Sequence, residues 1–260
     1  MQKIAIILIF TALIILSILF KDVISNIIHI TKVEEGESVE FKAGKTIQFE
    51  IKNPYNETTS ICELRVPTNY SKNKETPIFV WFNHGGGSYN VKNVPEFVDF
   101  DEYFVLALPY LDNQLPRIAI KEGHIDELWE YDRPMLEYVI NLIPNLHSNI
   151  KIAGGFSSGA HFVASGLDRD WEGFTDFFTG YIIHEGGYAP EMTYQGIQSS
   201  DDVLVTYGSS IDSYGKLVAE MMKQYHSNIT EYAVPDTGHE ITPQTIEYIR
   251  DWVDERFDLN

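Results

Sequence analysis

Residues 149–167 read NIKIAGGFSSGAHFVASGL. The first part, NIKIAGG (149–155), is a short apolar run of the kind that forms a strand covered on both faces. The last part, SSGAHFVASGL (157–167), is small and apolar, which suits a buried helix. Between them Gly155-Phe156-Ser157-Ser158-Gly159 fits the pattern G-x-S-x-G. A serine on so sharp a strand-to-helix turn has a strained backbone. The residues two before and two after it must lack side chains for the turn to close, and both are glycine here. The turn lifts the hydroxyl clear of the sheet at a helix N-terminus, where the helix dipole favours developing negative charge. A serine here is a candidate nucleophile, and the strand–turn–helix context sets it apart from an inert Gly/Ser loop.

The same alternation extends in both directions. KTIQFEIK (45–52) and SICELRVP (60–67) read as amphipathic strands with a polar turn between them. PIFVWFN (77–83), YFVLALP (103–109), FTGYIIH (178–184) and DVLVTYG (202–208) are near-continuous apolar runs, and ITEYAVP (229–235) is a further strand. Helical periodicity runs through 124–146, where Pro134 marks a kink or a second start, and through 213–225 and 242–257, where Pro243 suits a helix start. Two antiparallel strands followed by repeated strand–helix units predict one α/β domain over 45–260, with a central, mostly parallel sheet and helices on both faces. Residues 26–44 read as an extended lead-in. No repeat or long linker divides the chain.

A serine hydroxyl needs an adjacent base. Among eight histidines, His239 lies in a loop between the last strand and the last helix, at the sheet edge from which a base reaches the serine. His161, His184 and His84 read as packing or motif residues, and His29, His124, His147 and His226 have no supporting context. The base in turn needs a carboxylate to hold its tautomer. Asp212 follows DVLVTYG at the same edge and precedes His239 by 27 residues; it, or Ser213, equally reads as a helix N-cap. Glu185, at the end of the preceding strand, is the alternative acid. His84-Gly85-Gly86-Gly87 follows PIFVWFN, and its glycines let a backbone N–H approach a substrate oxygen. Paired with the N–H of Ser158, Gly86 or Gly87 would complete an oxyanion hole. No P-loop lysine accompanies these glycines, and no metal or cofactor is expected.

Composition narrows the classes further. The chain has 260 residues, 44% of them hydrophobic and 13% aromatic, too rich for a disordered chain. Nineteen Lys and Arg stand against 38 Asp and Glu, a net charge of −19, which argues against nucleic acid as a partner. One cysteine, Cys62, excludes an internal disulfide, and its place in a strand reads as a buried small residue. Residues 4–20 are apolar apart from Thr11 and Ser17, about 25 Å of helix. Lys3 and the α-amino group precede this run, which predicts export of the remainder. Residues 1–25 are therefore a cleaved signal peptide or an uncleaved membrane anchor. The run exceeds the usual h-region of about 7 to 15 residues and no A-x-A site follows, so the anchor is the preferred reading. Without residues 1–25 the chain carries 17 basic and 37 acidic residues, a net charge of −20, best read as solubility outside the cell. Sequons start at Asn56, Asn69 and Asn228.

Taken in order, ELRVP, PIFVWFNHGGGSYN, IAGGFSSGAH and the sequence Ser157, Asp212, His239 resemble the α/β-hydrolase superfamily over roughly residues 45–257. Within it they look like the serine esterases related to polyhydroxyalkanoate depolymerases and feruloyl or acetylxylan esterases, and like the HGGG carboxylesterases. Phe156, Ser158 and Ala160 depart from residues common in the HGGG group, and the Asp212 turn is one residue longer than its shortest form. The resemblance implies a carboxylic-ester hydrolase in which Ser157 attacks, His239 serves as base and then acid, and Asp212 orients it. Only 17 residues separate His184 from Asp202, too few for a large lid, and residues 110–127 are left to form a small rim. An open site suits a small ester or one borne on a polymer. Two rival readings remain: a peptidase or acyltransferase on the same triad, and a non-catalytic surface protein.

Overall fold

The computed structural model describes residues 30–54, 57, 59–83, 85, 89–109, 125–187, 192–211 and 213–257. The apolar run 4–20, and with it the signal-or-anchor reading, lies outside them. Among the described residues no helix is long and apolar enough to cross a membrane.

Among the described residues nine strands form one sheet: β1 (Ile30–Glu34), β2 (Thr46–Lys52), β3 (Thr59–Arg65), β4 (Thr76–Phe82), β5 (Phe104–Leu108), β6 (Leu146–Phe156), β7 (Gly180–His184), β8 (Asp202–Gly208) and β9 (Ile229–Val234). Their spatial order is β1-β2-β3-β5-β4-β6-β7-β8-β9. Strand β3 runs antiparallel to both neighbours, and every other pairing is parallel. The C-terminal ends of β6, β7, β8 and β9 therefore share one edge of the sheet. Loops that leave adjacent parallel strands at one edge converge on a crevice there.

Strand β1 lies inside the stretch read as a lead-in. Ile30, Thr31 and Val33 are β-branched, and the segment pairs in parallel with Thr46–Glu50 of β2. Val33 packs into the core at 4% exposure, while its neighbours Lys32 and Glu34 carry the polar outer side of an edge strand. Val33 as the one buried residue among Thr31–Glu34 leaves too little periodicity to read from sequence.

Among the described residues four α-helices cover the sheet: α1 (Ile125–Leu142), α2 (Ser158–Arg169), α3 (Tyr214–Tyr225) and α4 (Pro243–Arg256). Side chains alternate across each strand. In β4, Ile78, Val80 and Phe82 join one core with α1, α2 and α3. Phe79 and Trp81 join the opposite core with α4 and the segment from Val91 to Tyr103. Helix α1 runs through Pro134 without ending. Leu128, Trp129, Tyr131, Met135, Leu136 and Val139 are buried on both sides of the proline, and that packing outweighs the lost hydrogen bond. Helix α4 starts as expected, with Thr242 as N-cap in a capping box and Pro243 in the first turn. Cys62 is fully buried in β3. Burial, with Asp132 and Glu63 nearby, pushes its thiol well above the ordinary range, so the thiolate needed for reactivity is suppressed.

Candidate active site

Strand β6 ends at Phe156 and α2 begins at Ser158, so Ser157 alone makes the turn. Its backbone takes φ 55° and ψ −114°, a left-handed value costly for a residue with a Cβ. Two hydrogen bonds hold it there. The Ser157 N–H donates to the His184 carbonyl at 3.0 Å, and the Ser157 carbonyl accepts from the His161 N–H at 3.0 Å. The flanking glycines are required sterically. A Cβ on Gly155 would lie 2.3 Å from the Gly159 carbonyl carbon, and one on Gly159 would lie 2.0 Å from the Phe82 carbonyl oxygen. Gly159→Ala is accordingly expected to destabilise the fold by about 3 kcal/mol, lowering Tm by about 10 °C in a thermal melt. A melt within 2 °C or so of wild type would mean that the turn relaxes freely.

Because Gly159 touches the Phe82 and Asn83 carbonyl oxygens, the end of β4 lies against the N-terminus of α2. Asn83 is buried there; its side-chain amide donates to the Leu108 carbonyl at 2.7 Å, and its Oδ1 accepts from the Trp81 indole at 3.1 Å. Gly85 stands in an exposed turn just beyond. His84, Gly86 and Gly87 lie outside the described residues. Ser158 is the first residue of α2, so its N–H has no acceptor within the helix.

The folded chain brings His239 to Ser157: Nε2 lies 3.0 Å from the serine Oγ. The other ring nitrogen, Nδ1, faces Glu185 Oε2 at 3.4 Å. With Nδ1 protonated toward the carboxylate, Nε2 is free to accept the serine proton. Glu185 directly follows β7, with φ 56°, and its N–H donates to the Thr206 carbonyl at 3.0 Å. Its side chain is 2% exposed. Oε1 accepts from the Gly208 N–H, and Oε2 accepts from the Ser213 hydroxyl at 2.9 Å. Two donors besides the imidazole thus satisfy a carboxylate that burial would otherwise disfavour.

Asp212, the sequence-based choice for the acid, lies outside the described residues. The neighbouring N-cap role falls to Ser213, whose Oγ accepts from the Gly215 N–H at 3.0 Å while donating to Glu185. Ser213 and Thr206 carry no motif that marks them as site residues; their importance follows from where β8 places them. Glu185 was legible only as a carboxylate at a strand end on the correct edge. His161, in α2, is largely buried, and burial lowers its pKa. Among the described residues no group of three or more His, Cys, Asp or Glu side chains is arranged to hold a metal ion.

Taken together, the described atoms form a hydroxyl, an imidazole and a buried carboxylate in series at the C-terminal edge of a parallel sheet, with a helix N-terminus beneath the hydroxyl. Such a series can deprotonate the hydroxyl as it attacks and return the proton to a leaving group. No protein-family model matches the chain, and no curated protein matches it either. Solved structures do. A thermostable esterase superposes with a TM-score of 0.61 at 14% identity, covering 82% of this chain, which spans 62% of that esterase. The feruloyl esterase module from Clostridium thermocellum gives 0.58 at 14% identity, over 83% of this chain and 92% of the module. The Bacillus cereus carboxylesterase gives 0.52 at 20% identity, over 70% and 89%. Identities this low speak to architecture, and with the sheet order and the strand-to-helix turn they establish that the chain has the α/β-hydrolase fold.

Proposed function

We propose that the protein is a serine hydrolase that cleaves carboxylic esters through an acyl-enzyme. The observation that carries this reading is the Ser157–His239–Glu185 series, with contacts of 3.0 and 3.4 Å, mounted on a strained turn. Ser157 Oγ attacks the ester carbonyl while His239 Nε2 takes its proton. Glu185 holds the Nδ1–H tautomer and stabilises the imidazolium that forms; the long Nδ1 contact is of the kind that tightens in the reacting complex. The N–H of Ser158 and that of Gly86 or Gly87 receive the oxyanion. The imidazolium then protonates the departing alcohol, and water, activated by the same histidine, releases the acid.

Three further features support an uncharged ester as substrate. Half of the His239 side chain is exposed, so bulky esters have access to the base. The acidic balance of 38 against 19 disfavours anionic substrates. Ile211, 43% exposed, lies beside Gly238 next to the base and offers an apolar surface for part of the substrate. Export, with residues 4–20 as signal or membrane anchor, belongs to the same proposal and accords with an acidic, soluble domain.

A peptidase is the second reading. It is favoured by the likeness, at a TM-score of 0.56 and 14% identity, to a putative dipeptidyl aminopeptidase IV from Bacteroides ovatus, of which this chain spans 36%. A panel of p-nitrophenyl esters and peptide p-nitroanilides separates the two. Turnover of neutral esters with no measurable anilide cleavage is expected. Anilide turnover at comparable kcat/KM would overturn the ester assignment in favour of the peptidase.

A further inference from the structure

His184, the last residue of β7, takes no part in the proton transfers above, yet it bonds to Ser157, adjoins Glu185 and bonds to the residue after His239. Its carbonyl accepts the Ser157 N–H at 3.0 Å and so helps hold the strained turn. Its peptide bond leads directly into Glu185. Its ring, 1% exposed, bridges two loops. Nε2 lies 3.0 Å from the carbonyl oxygen of Glu240, the residue after His239, and Nδ1 lies 2.8 Å from Thr206 Oγ1 on β8. A carbonyl only accepts, so Nε2 carries the proton, and in the neutral ring Nδ1 then accepts from the Thr206 hydroxyl. Burial lowers the pKa of this histidine, which favours the neutral ring that this pairing requires. The Phe156 ring packs between the two imidazoles, 5.4 Å from His184 and 4.8 Å from His239, at interplanar angles of 27° and 32°.

We propose that His184 is a positioning residue that fixes the loop carrying His239 relative to Ser157 and Glu185. The inference rests on the serine-hydrolase reading for its kinetic consequence, but not for its structural one. The His239 loop is otherwise anchored on the β8 side, where the Thr237 carbonyl accepts from the Ser210 N–H at 3.0 Å. The bond from His184 ties the residue after His239 to β7. Without it the loop loses that tie and the imidazole is placed by its Glu185, Ser157 and Phe156 contacts alone; small misplacements of a base are costly, and about 1 Å is enough for a hundredfold loss.

The test compares His184→Phe, His184→Gln and Thr206→Val in the full chain. Phenylalanine keeps a ring against Phe156 and loses both hydrogen bonds. Glutamine restores an N–H toward the Glu240 carbonyl. Active sites are titrated with a fluorophosphonate, so that kcat is expressed per competent Ser157 and misfolded protein drops out. His184→Phe is expected to lower kcat per titrated site about 10- to 100-fold with KM nearly unchanged. His184→Gln should recover most of that loss, and Thr206→Val should fall between wild type and His184→Phe. Wild-type turnover per titrated site in His184→Phe, with only Tm or the titratable fraction reduced, would reduce His184 to a packing residue.

The second measurement does not depend on activity. In ¹⁵N-histidine spectra, the wild-type His184 ring should be a single Nε2–H tautomer, and the His239 ring should gain mobility in His184→Phe but not in His184→Gln. Equal order of His239 in all three proteins would overturn the positioning role even if the protein took no probe, whereas failure of wild type to take the probe strikes at the hydrolase reading itself.

Discussion

Ser157→Ala should lower kcat for ester hydrolysis by about four to six orders of magnitude and abolish covalent labelling by a fluorophosphonate. The size follows from the arrangement. Ser157 Oγ is the only hydroxyl placed within hydrogen-bond reach of His239 Nε2 among the described residues, and a base without its nucleophile leaves only oxyanion stabilisation and binding. The fold should survive. Alanine and serine both carry a Cβ, so the left-handed backbone at φ 55° is no more strained in the variant, and the bond from its N–H to the His184 carbonyl is a backbone bond. Near-native Tm with lost labelling is therefore the expected pair of results. Labelling of the variant at the wild-type rate would show that the nucleophile lies elsewhere.

Glu185→Gln is expected to be nearly as severe, with kcat down by about 10⁴-fold, whereas Asp212→Asn should stay within about tenfold of wild type. Glu185 receives three donors: the Gly208 N–H, the Ser213 hydroxyl and His239 Nδ1. A carboxylate accepts all three. An amide must turn its own N–H₂ toward at least one of them, so a donor faces a donor in a buried setting, or the histidine adopts the wrong tautomer. Stability should also fall by about 1 to 3 kcal/mol, because a buried donor is left without an acceptor. Hydrolysis rates and thermal melts of the two variants decide the matter. Loss of several orders of magnitude in Asp212→Asn alone would return the acid's role to Asp212.

The two carboxylates illustrate how far linear spacing reaches. Asp212 is attractive along the chain because it follows a strand and precedes His239 by a helix and a strand. Glu185 follows a strand as well, one position earlier in the sheet. Spacing does not separate them, because β7 and β8 are neighbours and their ends lie at the same edge. The structure places the Glu185 carboxylate against the base, whereas Asp212 lies outside the described residues. The backbone of Glu185 turns at φ 56°, and Gly208 and Ser213 on the next strand-end supply donors for its carboxylate. None of these contacts leaves a periodicity or a motif. His184, read from sequence as a packing residue, and Thr206, which carries no motif, show the same limit: paired in register across β7 and β8, they meet through a bond formed only when both strands are in place.

Other features were legible because their causes are local. The nucleophile turn is written in glycines that no other residue replaces, and apolar runs bounded by polar turns mark the strands because burial on both faces requires them. Pro243 marks a helix start by its own covalent geometry. Pro134 shows the opposite limit: its ring disfavours a helix interior, yet the buried faces of α1 on either side carry the helix through. Strand β1 needed the edge of β2 to exist before Ile30–Glu34, with Val33 in the core, became a strand. Chain-local chemistry was thus enough to specify an α/β domain, its candidate nucleophile and its candidate base. The contacts of the Glu185 carboxylate and of the His184 ring belong to the assembled sheet, because hydrogen bonds between residues 22 to 56 positions apart exist only after the strands have found their order.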